Sequence, residues 1–253
     1  MRFQARDQRK TLLFWGAGLA LYCSLIVLVY PQVKDAVDIS LMPANMREAF
    51  NITDFTQLSS FLATELFGVI LPIVVPFFGV IALSGVIAGA EERGRLDLLL
   101  GNPIPRWHLV TGSIAVVAVY LFVLTSVVAC AIWLAATALD LALSVQQAVR
   151  AAFALWPLAL AFAGLALALS AIVRQRAAAL GGTAAVIFLM FLTNVIGRLA
   201  PPVSGIRWAS AYYYYGNAIV DGLWWTGVTV LVVVSLVLVT VAVIAFDRRD
   251  IYA

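Results

Sequence analysis

The side chains best suited to catalysis are few, and three of them are the carboxylates Glu91, Glu92 and Asp97 in one short polar segment. A metal-dependent lipid transferase would need such a carboxylate cluster. An intramembrane serine protease would need a nucleophilic serine and a histidine at depth. The only histidine is His108, at the boundary of an apolar run, and Ser84 lacks the upstream glycine typical of such proteases. We therefore expect no catalytic residue in this chain.

Binding sites for metals and nucleotides are not expected either. With a single histidine there is no Cys/His cluster for zinc or haem, and Cys23 and Cys130 lie inside apolar runs, as buried thiols do. A nucleotide-binding P-loop needs a Gly-Lys-Ser/Thr sequence to cradle phosphates. The only lysines are Lys10 and Lys34, and neither follows a glycine. The sequence predicts no metal site and no cofactor bound by this chain.

The elements that carry these residues are predicted to be membrane-spanning helices. Of the 253 residues, 64% are hydrophobic and only 11% are charged, too few to cover a soluble core of this size. Crossing a bilayer takes roughly 20 apolar residues in a helix, and the apolar runs lack the alternation of barrel strands. We predict an all-α integral membrane domain over residues 1–253. Its six spans are expected at about 11–30, 66–90, 107–135, 151–173, 177–197 and 224–246.

The distribution of Lys and Arg predicts the orientation. With the N-terminus in the cytoplasm, eleven of these residues fall on the inside and five on the outside, including Lys34 in the outer loop 31–65. This bias favours cytoplasmic N- and C-termini. Glu65 is placed at the outer edge of the second span. Since carboxylates at depth are otherwise lacking, ion-coupled transport is disfavoured.

Prolines within the spans predict local irregularities. Pro72 and Pro76 fall in the second span and Pro157 in the fourth. A proline inside a helix removes a backbone donor and tends to kink the helix. Each proline is a candidate helix kink. Such a kink either only shapes the packing of the helices or acts as a hinge.

The polar segment between the second and third spans is the most informative part of the sequence. Read as a helix over about 91–101, it places Leu96, Leu99 and Leu100 on one face. Glu91 and Glu92 stand in its first turn, where the helix dipole favours anions. The segment is therefore predicted to be a short amphipathic helix at the cytoplasmic face, which either rests on lipid or binds a partner.

The sequence of this segment resembles the E-E-x-x-G-T-L-E-L-L-L-x-x-P-I-S-R pattern of permease subunits of ABC-2 type ATP-binding-cassette transporters. The Glu pair, Gly94, the leucines, Pro103 and Arg106 match, whereas Arg95, Asp97 and Pro105 replace the common Thr, Glu and Ser. The ending Phe246-Asp247-Arg248-Arg249-Asp250 is similar to the basic finish of these permeases. The resemblance covers nearly the whole chain.

That resemblance implies a dimer of six-helix permeases in a prokaryotic plasma membrane, formed with a second copy or a paralogue. Each half would bind a separate ATPase subunit that carries ATP and Mg. Membrane lipid is the other expected partner, and nucleic acid is not expected. The amphipathic helix would be the coupling helix that seats in a cleft of the ATPase. The residues implied in docking are Glu91, Glu92, Arg93, Gly94, Leu96, Leu99, Leu100 and Arg106. The implied function is export of an unidentified substrate. The alternative is a non-transporting membrane assembly or sensory component.

Overall fold

The structure is a computed structural model that describes residues 2–34, 57–92 and 106–248. It confirms an all-helical chain, with no strand among these residues, in which six helices are long and apolar enough to cross a membrane. The helices are α1 (Arg2–Val33), α2 (Leu58–Ser84), α3 (Ala88–Glu92), α4 (Arg106–Ala138), α5 (Val145–Ile172), α6 (Arg176–Leu199), α7 (Ala211–Tyr215) and α8 (Trp225–Asp247). A 3₁₀ segment, Pro201–Ala209, joins α6 to α7.

The second span differs from its predicted position. It runs over Leu58–Ser84 rather than 66–90, and Glu65 lies inside it instead of at its outer edge. The prediction was wrong because it ended each span at a charged residue, whereas this helix carries Glu65 on its exposed side. Residues 31–33 and 58–65 of the predicted outer loop are helical, and 35–56 lie outside the described residues.

The candidate kink prolines occupy different settings. Pro72 lies two residues after a π-helical turn at Leu66–Ile70 within α2. A proline that lacks its amide donor and a widened turn are both recognised sources of helix irregularity. Pro76 and Pro157 lie inside helices that continue past them. A hinge role for the three prolines stays a prediction.

Helix α5 forms the centre of the bundle. It begins with a capping box, in which the Ser144 hydroxyl accepts from the Gln147 amide and the Gln147 side chain accepts from the Ser144 amide. In its apolar stretch 78% of the residues are buried, against 22% for α1 and α6 and 17% for α8. It packs against α2, α4, α6 and α8. The outer helices therefore present most of their apolar surface to lipid.

Small residues allow the helices around α5 to approach closely, as is common in membrane bundles. A Cβ added at Gly79 of α2 would lie 2.8 Å from the Ala163 Cβ of α5. On the other side of α5, the Ser235 hydroxyl of α8 donates to the Leu160 carbonyl at 3.2 Å. The expectation that both cysteines are buried is half wrong: Cys23 is buried, but Cys130 is exposed on α4.

Candidate functional site

The predicted docking segment leaves the bundle through α3 and returns through α4. Glu91, half-buried, and Glu92, exposed, are the last residues of α3, and Arg106 is the first residue of α4. Five predicted docking residues lie outside the described residues: Arg93, Gly94, Leu96, Leu99 and Leu100. Their contact with a partner stays a prediction, as does that of Glu91, Glu92 and Arg106. What the structure adds is how α3 is attached to the bundle.

A tight turn at 85–87, called the elbow below, joins α2 to α3. The Val86 amide donates to the Leu83 carbonyl at 3.2 Å, and the Glu91 amide donates to the Ile87 carbonyl at 3.0 Å. Ile87 and Ala88 have no exposed surface. The chain therefore turns inside the packed bundle before it reaches the docking segment.

One buried hydroxyl holds the elbow to α5. The Ser170 hydroxyl donates to the Ser84 carbonyl at 3.0 Å and accepts from the amides of Ile87 and Ala88 at 3.3 and 3.1 Å. These backbone groups belong to the end of α2, the elbow and the start of α3, where helices leave polar groups unsatisfied. Because Ser170 has no exposed surface, water does not replace these bonds readily. The orientation of α3 is thus fixed relative to α5.

A second contact attaches α3 to the start of α6. The backbone amide of Arg176 donates to the Glu92 carboxylate at 2.8 Å, so Glu92 caps α6 from another helix. A carboxylate at this position also interacts favourably with the helix dipole. The Arg176 guanidinium reaches back to α2 and donates to the Ile81 carbonyl at 3.3 Å. Glu92 therefore makes a structural contact within its own chain, in addition to any role in docking.

The sequence analysis missed Ser170 and Arg176. Ser170 is the only hydroxyl-bearing side chain in α5, and this isolation in an apolar helix is a signal that could have been used. In the sequence, Arg176 is one of the basic residues that predict the membrane orientation, and no other role is indicated for it. Nothing in the sequence pairs either residue with the elbow, because both lie more than 80 positions away along the chain.

The arrangement links α3 to the centre of the bundle through hydrogen bonds. The described residues contain no group of three or more His, Cys, Asp or Glu side chains that could hold a metal ion. His108 stacks on its neighbour Trp107, with ring centroids 3.8 Å apart. Helix α3 is bonded to both α5 and α6, so its position is fixed relative to both helices.

Comparison with known proteins agrees with a transport role. The sequence model of the family described as "Multidrug efflux system permease Rv1217c, C-terminal domain" matches residues 1–247. No match was found among curated proteins. A match over nearly the whole chain, together with six helices long enough to span a membrane, identifies a transporter permease of the multi-pass membrane type. The chain therefore belongs to the family of the multidrug efflux system permease Rv1217c, C-terminal domain.

Proposed function

We propose that the chain is the permease subunit of an ABC-2 type exporter in a prokaryotic plasma membrane. ATP, bound with Mg on a separate ATPase subunit, would drive it. The observation that carries this proposal is the elbow, where Ser170 and Glu92 bond the start of the predicted coupling helix to α5 and to α6. A helix that only rested on lipid would not need a buried connection to the centre of the bundle.

The coupling step follows from these bonds. ATP-driven closure of two ATPase subunits would displace the docked segment 93–105 together with α3. Since Ser170 joins α3 to α5, and Glu92 joins it to α6, the displacement would tilt these two helices relative to the outer ones. With a second copy or a paralogue across the dimer, this tilt would open and close a pathway between the two halves.

The cargo class we propose is apolar or amphiphilic small molecules. The family description concerns multidrug efflux. A groove of about 560 Å³ lies between α1 and α2 and opens at the bundle surface. Its lining includes Phe14, Trp15 and Tyr22 of α1 and Ile70 and Val74 of α2. Aromatic and aliphatic surfaces of this kind suit flat apolar compounds.

Docking of the ATPase is tested with Leu99→Asp. The tagged chain is purified in mild detergent from its native membranes, and the retained ABC ATPase is measured by mass spectrometry and by ATP hydrolysis. We expect Leu99→Asp to lower ATPase retention at least about tenfold, because an unpaired carboxylate in an apolar contact is strongly unfavourable. The matched control is Leu199→Asp, at the exposed end of α6 and away from the elbow. It should retain the ATPase.

Two results would count against the proposal. Normal retention of the ATPase by Leu99→Asp would remove the coupling-helix assignment. A stable complex whose ATP hydrolysis responds to no apolar compound, and whose vesicles transport none, would favour the non-transporting assembly or sensory role instead.

A further inference from the structure

A second polar cluster lies at the other end of α6, away from the elbow. Arg198 stands in the last turn of α6, and Arg207 in the 3₁₀ segment that follows. Arg198 lines a cavity together with the polar side chains of Asn194, Tyr215 and Asn217. The π-helical turn of α2 forms the opposite wall of this cavity. The cluster is therefore built from four separate parts of the chain.

Arg207 is held in place from three sides. Its Nε donates to the Asn194 Oδ1 at 3.2 Å, and its guanidinium carbon lies 5.2 Å from the centre of the Tyr213 ring. Its side chain crosses the backbone at Gly197, where an added Cβ would overlap the Arg207 Cγ. A residue with a side chain at 197 would displace the arginine. These contacts hold the Arg207 guanidinium beside the end of α6.

The positive charge of the two arginines meets no counter-ion among the described residues 2–34, 57–92 and 106–248. Arg198 is half-buried, and its Nε is buried without a hydrogen-bond partner. Neither guanidinium forms an ion pair in the part of the chain that the structure describes. Two neighbouring cations that are partly removed from water and lack a counter-ion are unfavourable, and a bound anion would relieve that repulsion.

The remaining groups of the cavity suit an anion. A guanidinium presents parallel N–H donors that match the oxygens of a phosphate or carboxylate. Burial raises the pKa of Tyr215 above its ordinary value, and the neighbouring Tyr212 raises it further. Its phenol therefore keeps its proton and can donate. The Asn217 amide adds donors of the same kind.

The surroundings place the cluster at the depth of lipid headgroups. It lies where a membrane-spanning helix ends. Trp208, which follows Arg207 in the 3₁₀ segment, and Trp225, the first residue of α8, are 66% and 68% exposed. Exposed tryptophans at the ends of spans are typical of the membrane–water interface. An anion reaching this cavity would therefore come from the headgroup layer or from the water beside it.

We propose that Arg198 and Arg207 form a binding site for the anionic headgroup, phosphate or carboxylate, of a membrane amphiphile. This site does not depend on the ATPase or on the elbow. Arg198 lines the cavity, and Arg207 is bonded to Asn194 of the cavity wall. Arg150, a half-buried arginine at the start of α5, does not line the cavity. Arg150 therefore provides a matched control for the loss of one positive charge.

The test uses the full chain in a neutral maltoside detergent. Dioleoyl phosphatidylglycerol and dioleoyl phosphatidylcholine are titrated separately, and binding is measured by native mass spectrometry. We expect the anionic lipid to bind at least about tenfold more tightly than the zwitterionic one. Arg198→Gln and Arg207→Gln should each reduce this preference about tenfold, whereas Arg150→Gln should leave it within about twofold. Arg207→Lys keeps the positive charge but loses the parallel N–H donors of the guanidinium. It should therefore lose part of the preference for the anionic lipid.

A parallel titration with inorganic phosphate, followed through the thermal unfolding temperature, identifies the source of the anion. Stabilisation of the wild type but not of Arg198→Gln would show that the site accepts a free anion. A phosphatidylglycerol preference without a phosphate effect would show that the acyl chains are needed. The proposal fails if both lipids bind equally and phosphate has no effect. It also fails if folded Arg198→Gln and Arg207→Gln behave like Arg150→Gln.

Discussion

Replacement of Ser170 by alanine tests whether the elbow is held by one hydroxyl. The change removes a single oxygen and leaves the apolar packing of α5 in place. Three backbone groups lose their partner: the Ser84 carbonyl and the amides of Ile87 and Ala88. All three are enclosed by the bundle, since Ser84, Ile87 and Ala88 have no exposed surface.

The expected loss of stability is about 1–3 kcal/mol. Hydrogen bonds between membrane helices contribute about 0.6 kcal/mol on average, and leaving a buried polar group unsatisfied costs about 1–3 kcal/mol. The measurement is unfolding of the purified chain in a dodecyl sulfate titration. The control is Ser126→Ala, because the Ser126 hydroxyl bonds only the Phe122 carbonyl of its own helix and is exposed. That variant should change stability by less than about 0.5 kcal/mol.

Two further readouts separate a local role from a general one. Hydrogen exchange at the amides of Ile87 and Ala88 should become faster in Ser170→Ala while the middle of α5 stays protected. In the assembled transporter we propose, ATP hydrolysis should continue while transport per ATP falls. If stability and exchange in Ser170→Ala equal those of the wild type, the elbow is not held by this hydroxyl and the argument fails.

Two other substitutions probe the remaining contacts. Glu92→Ala removes the cap of α6 and should speed exchange of the Arg176 amide, with a stability loss of about 1 kcal/mol or less, whereas Glu91→Ala should not affect that amide. An unchanged exchange rate would show that the cap is not formed. Gly79→Ala should lower stability by about 1–3 kcal/mol, because the new Cβ meets Ala163 at 2.8 Å. The control Gly112→Ala adds a Cβ into open space and should be neutral or stabilising, and equal losses in both variants would contradict the packing argument.

The sequence was sufficient for the number and type of the membrane helices, because apolar length is a direct requirement of the bilayer. It misplaced the second span, since one exposed carboxylate does not end a helix whose other residues are mostly apolar. The fourth predicted span also began too late. Helix α5 starts at Val145 with a capping box and includes Arg150, whereas a search for charge-free runs begins after that residue.

The candidate site could be predicted only in part. The segment that includes Glu91 and Glu92 was recognisable because its charges and leucines stand out between two apolar runs. Ser170 stands out as an isolated hydroxyl, but its link to this segment was not recognisable, because Ser170 bonds backbone groups of α2 and α3 and Arg176 bonds a backbone carbonyl of α2. Every residue type carries the same backbone carbonyl, so a contact with the backbone cannot be predicted from residue types. Similarly, Arg198 and Arg207 come together only through the fold of the 3₁₀ segment back onto α6.

The polar contacts between helices explain why a movement of α3 would reach the whole bundle. Apolar side chains packed against one another can slide at modest cost, whereas a buried hydrogen bond fixes one register. Helix α5 has such bonds at several levels: Ser170 to the elbow, Trp156 to the Ala118 carbonyl of α4 at 2.9 Å, and its Leu160 carbonyl to Ser235 of α8. A force applied to α3 therefore acts on a helix that is bonded to its neighbours on several sides. In the coupling that we propose, these hydrogen bonds would pass a displacement of α3 to α5 and from there to α4 and α8.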